Sequence, residues 1–208
     1  MTDKKRMLSG LLYNPYEIQD GVHYACSDTI EVFNRLSWRD FRKGTELLQE
    51  IFGHLEDDAI ITQPFYCDYG RQIFIGKHFY ANTGLIILDA AKVTIGDDVF
   101  IGPRVSIFTA SHPIDPDVRR KEYEIAKEVS IGNDVWIGGN TVINPGVSIG
   151  NNVVIGSGSV VTKNIPDNVI AAGNPCRVIR EITDTDKQYW QQQLDEYLSD
   201  PDVSDNNC

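Results

Sequence analysis

From Ile131 to Pro166 the chain repeats one pattern every six residues without a break. Ile131, Ile137, Ile143, Ile149, Ile155 and Val161 occupy one slot, and Gly132, Gly138, Asn144, Gly150, Gly156 and Thr162 occupy the next. A third slot holds Val135, Thr141, Val147, Val153, Ser159 and Ile165. A period of six fits neither the α-helix nor a simple hairpin, and Gly, Asn and Asp recur too often for a helix. Short strands joined by tight corners, each corner turning a β-branched side chain inward, satisfy the pattern. Such units bury a core only by stacking, so the spacing predicts a parallel β-solenoid. With three hexads in each triangular turn, residues eighteen apart stack, which sets Ile131 against Ile149 and Ile137 against Ile155.

Residues 1–58 lack the repeat and read as an amino-terminal helical cap. Met7, Leu8, Leu11 and Leu12 fall at helical spacing until Asn14-Pro15 breaks the run. Ser27-Asp28 is the expected cap of a second helix, and a third is expected after Ser37, with Phe41, Leu47, Leu48, Ile51, Phe52 and Leu55 along one side. The solenoid spans residues 59–182, with its first coil expected near Ile60. Val93-Thr94 adds two residues to the early hexads, and after Ile107 the pattern fails, because Pro113 and Arg119 fall in inward slots. Ile125-Ala126 with Val129 is expected to re-enter in phase, leaving an excursion over 113–124 that reads as a lid loop. Residues 183–208 read as a last helix, carrying Tyr189, Trp190, Leu194, Tyr197 and Leu198, and a frayed acidic tail from Ser199 to Cys208.

A net charge of −11 argues against general binding to nucleic acid or to an anionic membrane, since both call for a basic face. The segment Met1 to Arg6 is charged and no apolar stretch follows it, so the expected location is cytoplasmic. Cys26, Cys67, Cys176 and Cys208 lie far apart with no CxxC pair, which suits free thiols and suggests no metal site.

His112 stands where the repeat breaks, at the root of the lid, and an imidazole there is suited to taking a proton from an alcohol near neutral pH. A turn-starting surface histidine before proline is the plain alternative. Asn82 occupies a corner slot, and Asp68 and Asp89 lie at other corners, where a solvated turn carboxylate is the ordinary role. Tyr80 and Trp136 are aromatic residues at outward slots, suited to a subunit contact or to stacking on a sugar. Lys163, Arg177 and Arg180 gather positive charge near the end of an acidic chain, either as partners of neighbouring acids or as a seat for a phosphate-bearing ligand. No P-loop, GxGxxG or GxSxG motif is present.

Taken together, the hexads, Cys67-Asp68-Tyr69-Gly70, Phe79-Tyr80-Ala81-Asn82, Ser111-His112-Pro113, Asp134 to Gly139, Ile143 to Gly146 and Ala172 to Pro175 resemble the maltose and galactoside O-acetyltransferases. The likeness runs from the amino-terminal helices to about Ile182. It implies a left-handed parallel β-helix assembled as a homotrimer, with sites between subunits and acetyl passing directly from acetyl-CoA to a sugar hydroxyl. No metal is implied. His112 matches the family's general base, Asn82 a residue on the acceptor sugar, Asp68 a position where a relative carries an acceptor-binding serine, and Asp89 joins the same corner. The Gly139 N–H matches the oxyanion donor. Ser157, Thr162 and Lys163 match positions along the pantetheine arm, and Arg177 and Arg180 match residues near the CoA phosphates. Trp136 matches an aromatic contacted by the lid, and Glu124 stands at the lid's end where a galactoside-specific relative carries an apolar residue.

Other readings stand beside this one. The donor side would look the same for an acetyl-CoA enzyme acting on serine, an amino sugar or a xenobiotic alcohol. A zinc enzyme on the same solenoid needs three histidines at coil corners, and only His78 and His112 lie in the repeat. A non-catalytic scaffold would need neither a lid nor a base at its root.

Overall fold

The computed structural model describes residues 1–200. Short strands wind into a three-sided prism, and each side is a mostly parallel sheet. The first face stacks His54–Leu55, Ile73–Ile75, Val93–Ile95, Val129–Ile131 and Ser148–Ile149. The second stacks Ile60–Ile61, Tyr80–Ala81, Phe100–Ile101, Val135–Ile137, Val153–Ile155 and Val169–Ala172, with Arg177–Glu181 added antiparallel at its edge. The third stacks Phe65–Cys67, Leu85–Leu88, Ser106–Phe108, Val142–Ile143 and Val160–Val161.

The hexad slots behave as their spacing predicts. Ile131 pairs with Ile149 and Ile137 with Ile155. Ile137, Ile143, Ile155 and Val161 are fully buried. Each such side chain contributes about 1.5–3 kcal/mol on removal from water. The early turns are two residues longer, so Ile75 stacks on Ile95 and, one turn before, Ile61 on Ala81, each twenty positions on. At the corner between first and second faces a side-chain ladder replaces strand pairing. Asp97 Oδ1 accepts the Lys77 N–H, Asn133 Oδ1 that of Asp97, Asn151 Oδ1 that of Asn133 and Asp167 Oδ1 that of Asn151. The glycine of the hexad makes room for this ladder. A Cβ on Gly96 would stand 2.2 Å from Asn133 Oδ1.

Five sequence expectations are corrected. The prism starts earlier than Ile60, because His54–Leu55 already pairs with Phe74 and Ile75. Helix α1 (Asp3–Leu8) stops before Leu11 and Leu12. Helix α2 (Val22–Asn34) begins at Gly21 in a left-handed conformation with no side-chain cap, so Ser27-Asp28 lies inside it. Helix α3 (Phe41–Ile51) ends before Phe52 and Leu55, which reach the core from the chain beyond it. Ile125–Ala126 does not rejoin the coil either. It pairs antiparallel with Ala110–Ser111 as the neck of an arm whose tip is helix α4 (Pro116–Arg119). The coil resumes at Val129–Ile131, and Ile95 stacks on Ile131, thirty-six positions on and twice the eighteen from Ile131 to Ile149.

Helices α2 and α3 cover the open end of the prism. Phe33 and Phe52 meet the buried Phe65 ring edge-on at 6.4 and 5.7 Å between centroids. The exposed strand edge is satisfied by Asn34, whose Oδ1 accepts the Phe65 N–H and whose Nδ2 donates to the Phe65 carbonyl, at 2.8 and 2.9 Å. At the other end, helix α5 (Asp184–Ser199) begins with a capping box between Thr183 and Asp186, and none of its residues is buried. The tail expected to fray falls largely on residues 201–208, outside the described residues.

Candidate active site

The sequence-predicted residues gather in two clefts at two different corners of the prism. The first, about 310 Å³, opens where the third face turns toward the first and the arm leaves the coil; it is lined among others by Tyr13, Asp68, Tyr69, Ser111, His112 and Glu124. His112 Nδ1 lies 3.2 Å from the Tyr123 carbonyl oxygen. A carbonyl only accepts, so Nδ1 carries the proton and Nε2 keeps its lone pair. That Nε2 stands 3.9 Å from Glu124 Oε1.

Asp89 builds the floor of this corner. It is fully buried, and its Oδ1 accepts the backbone N–H groups of Asp68 and Tyr69 at 3.0 and 2.9 Å. Oδ2 has no hydrogen-bond partner among the described residues. Burial pushes the Asp89 carboxyl up to about 6, against the pull of those two N–H donors. Asp68 is also raised by burial, with the nearby Glu124 adding to the effect and His23 opposing it. His23 Nδ1 donates to the Asp68 carbonyl at 2.9 Å. Asp89 therefore acts on the cleft through the backbone that presents Asp68.

The second cleft, about 420 Å³, opens where the second face turns toward the third and is lined by residues including Tyr80, Asn82, Gly102, Trp136, Gly139 and Ser157. Trp136 is 56% exposed and stacks in register between Phe100 and Val154. No residue of the chain's own arm lines this cleft. A Cβ on Gly102 would come within 2.6 Å of the Gly139 nitrogen, so the bare backbone at Gly102 keeps that nitrogen approachable. Gly102 went unnoticed in the sequence because glycine is the default at its slot.

The remaining predicted residues are spread out. Thr162 and Lys163 are exposed just past Val160–Val161, at the corner on the His112 side of the prism and not beside Ser157. Arg177 and Arg180 lie on the exposed edge strand of the second face. Arg177 donates to the Cys176 carbonyl, and Arg180 grips Asp186 with both terminal nitrogens at 2.7 Å. That fork holds the Asp186 carboxyl far below the usual carboxylate range. Tyr13 was missed as well. It is buried and its hydroxyl donates to Glu124 Oε2 at 2.6 Å, a contact across 111 positions that no local pattern signals.

The amino-terminal residues 6–56 match the model of the maltose acetyltransferase hexapeptide capping motif, and residues 128–163 match that of the bacterial transferase hexapeptide of six repeats. The galactoside O-acetyltransferase of Escherichia coli is 48% identical over 158 residues, covering 76% of this chain and 78% of that protein. The chain belongs to the galactoside and maltose O-acetyltransferase family. A crystal structure of a maltose O-acetyltransferase from Clostridium difficile superposes with a TM-score of 0.86 at 44% identity, covering 88% of this chain and 98% of the other. A galactoside acetyltransferase in complex with coenzyme A gives 0.85 at 42% identity, over 90% and 94% of the two chains. The fold is thus the left-handed parallel β-helix of hexapeptide-repeat enzymes, and the family is one of acetyl-CoA-dependent sugar O-acetyltransferases. Among the described residues no helix is long and apolar enough to cross a membrane, and no three metal-ligating side chains converge.

Proposed function

We propose that the chain transfers acetyl from acetyl-CoA directly to a hydroxyl of a maltose-, glucose- or galactoside-type sugar, with His112 as general base, in sites formed between the subunits of a homotrimer. The observation that carries this reading is the His112 tautomer. The Tyr123 carbonyl binds the Nδ1 proton, which leaves Nε2 as a proton acceptor in the cleft that Asp68 and Glu124 also line. The thioester is already activated, so the reaction calls for a base, an oxyanion donor and alignment. Nε2 takes the proton as the sugar oxygen attacks the thioester carbonyl. The N–H of Gly139 stabilises the developing oxyanion, and CoA leaves as its thiol once the proton reaches the sulfur.

Two facts favour assembly from more than one copy. His112 and Asp68 line one cleft while Asn82, Tyr80, Trp136 and Gly139 line another, and none of the described residues lines both. The outward column of the second face is apolar throughout, running Ile60, Tyr80, Phe100, Trp136, Val154 and Ile170, whereas that of the first face runs His54, Phe74, Thr94, Ser130 and Ser148. An apolar face flanking one corner suits a head-to-tail contact that closes after three copies and brings one copy's His112 to the next copy's Asn82. In that arrangement Asn82 and Asp68 hold the sugar, Asp89 holds Asp68, and the arm with Glu124 closes against the neighbouring Trp136. Ser157, Thr162 and Lys163 follow the pantetheine arm. Arg177 and Arg180 meet the CoA phosphates, Arg180 while keeping its grip on Asp186.

His112→Ala is expected to lower acetyl transfer about 10²–10⁴-fold with CoA binding retained. Thiol release from acetyl-CoA with maltose, glucose and a methyl galactoside as acceptors checks this. Turnover by the variant near that of the parent removes His112 from the role.

A further inference from the structure

Cys26 and Cys67 are forty-one positions apart in the sequence, yet their sulfur atoms lie 3.5 Å apart in the fold. Both are free thiols. Cys26 belongs to helix α2 and is buried in the main core, while Cys67 ends the strand Phe65–Cys67 of the third face and is only partly covered. The backbones that carry them are held on either side of the pair. Asn34 binds both backbone groups of Phe65, and His23 Nδ1 donates to the Asp68 carbonyl at 2.9 Å. The sulfurs of a disulfide are about 2.05 Å apart, so bond formation needs a closure of about 1.5 Å between groups already in contact. Cys67 can also be reached from outside. It lines a groove of about 400 Å³ together with Ser27, Asn34, Arg35 and Tyr66. On its other side the chain enters the first cleft, where Asp68 lines the wall and Asp89 Oδ1 holds the N–H groups of Asp68 and Tyr69.

We propose that Cys26 and Cys67 close into a reversible disulfide under a hydroperoxide, and that this bond slows acetyl transfer by drawing the backbone at Asp68 out of place. The Cys67 sulfur attacks the peroxide and becomes a sulfenic acid, and the thiol proton goes to the departing oxygen, which leaves as an alcohol or, from hydrogen peroxide, as water. The Cys26 sulfur then displaces hydroxide from the Cys67 sulfur, and its own proton completes a second molecule of water. The two thiols together lose two electrons and two protons, all taken up by the peroxide. A thiol reductant reverses the change by exchange through a mixed disulfide. The hydrogen bond with Cys26, burial and the Asp89 carboxylate hold the Cys67 thiol far above its ordinary range, so the pair rests reduced and oxidises slowly. The effect on turnover rests on the proposed role of the first cleft, whereas formation of the bond does not.

The test treats the purified protein with hydrogen peroxide, maps its peptides by mass, and measures kcat and KM for maltose and for acetyl-CoA before and after dithiothreitol. A linked pair of peptides carrying Cys26 and Cys67 is expected, lighter than the separate ones by the hydrogens lost. With it, kcat/KM for maltose is expected to fall about tenfold or more, since a misplacement of about 1 Å at a positioning group costs up to about a hundredfold, while the KM for acetyl-CoA holds. Dithiothreitol should restore the parent rate. Cys26 lines neither cleft, so Cys26→Ala is expected to keep the parent rate and to lose the response to peroxide. Peptides that carry Cys67 as a sulfinic acid with Cys26 still free overturn the pairing. A linked pair with an unchanged kcat/KM overturns the switch, as does inhibition of Cys26→Ala equal to that of the parent. If the parent acetylates none of the sugars, the functional reading fails, while the peptide map still decides the disulfide.

Discussion

The two clefts are built from different materials. Five residues lining the one at His112 are titratable, Tyr13, Asp68, Tyr69, His112 and Glu124, whereas the one at Asn82 has Tyr80 alone of that kind and otherwise offers apolar and aromatic faces, an amide, a hydroxyl and bare glycine backbone. The first corner can move protons and select hydroxyls. The second can offer fixed N–H dipoles and a surface for a long flexible ligand. The source of the difference is the repeat itself. Where the hexads run unbroken, Gly and small residues hold the corners and backbone is what reaches solvent. Where an arm interrupts them, side chains from distant parts of the sequence converge.

If that contrast is right, the second cleft should be sensitive to steric bulk and the first to charge. In the second cleft the largest effect is expected at Gly102→Ala, whose methyl would stand 2.6 Å from the Gly139 nitrogen and 3.1 Å from the Gly138 carbonyl carbon. Covering an oxyanion donor is expected to lower kcat about 10²–10³-fold, roughly 3–4 kcal/mol of transition-state stabilisation. The KM for the sugar should change little. Steady-state kinetics check this, and an unimpaired kcat would mean that Gly139 is not the donor.

A smaller effect, on stability, is expected in the first cleft. The folded protein raises the Asp89 carboxyl from its ordinary 3.8 to about 6, so the folded state holds its proton more tightly than the unfolded state does. Stability from this group is full below the unfolded value and is lost as pH rises through the folded one, a loss on the order of 3 kcal/mol. Asp89→Asn cannot titrate and should lack that slope. Urea midpoints of both proteins between pH 4 and pH 7 check it, with the variant gaining on the parent as pH rises. A constant difference across that range would place Asp89 in a solvated setting.

Much of the fold is legible in the residues, and the boundary of that legibility has a physical cause. Ile131 over Ile149 and Ile137 over Ile155 follow from spacing, because a solenoid converts sequence separation directly into contact. The outward placement of Trp136 follows in the same way, whereas the twenty-residue spacing of Ile61 and Ala81, ahead of Val93-Thr94, does not. Events off the repeat are less readable. Ile125–Ala126 satisfies the inward slots but pairs with the arm's other strand, since an antiparallel neck needs the same β-branched and small residues as a coil. The start of α2 at Gly21 rests on a left-handed backbone with no side-chain cap to announce it. In the clefts, His112 and Asn82 stand at breaks or corners that the pattern marks, whereas the contact of Tyr13 with Glu124 is a tertiary event with no periodic signature.

The central claim is that the acid–base corner of one copy works on the backbone corner of the next. Mixed trimers test it most directly. His112→Ala and Asn82→Ala chains, each inactive alone, are unfolded together, refolded in equal amounts and assayed for acetyl transfer to the sugar that the parent uses. Sites shared between copies pair an intact His112 with an intact Asn82 in about a quarter of random contacts, so about a quarter of the parent activity should return. Activity that stays at the level of the separate variants would contradict the account, because both residues would then have to serve the same site from one chain.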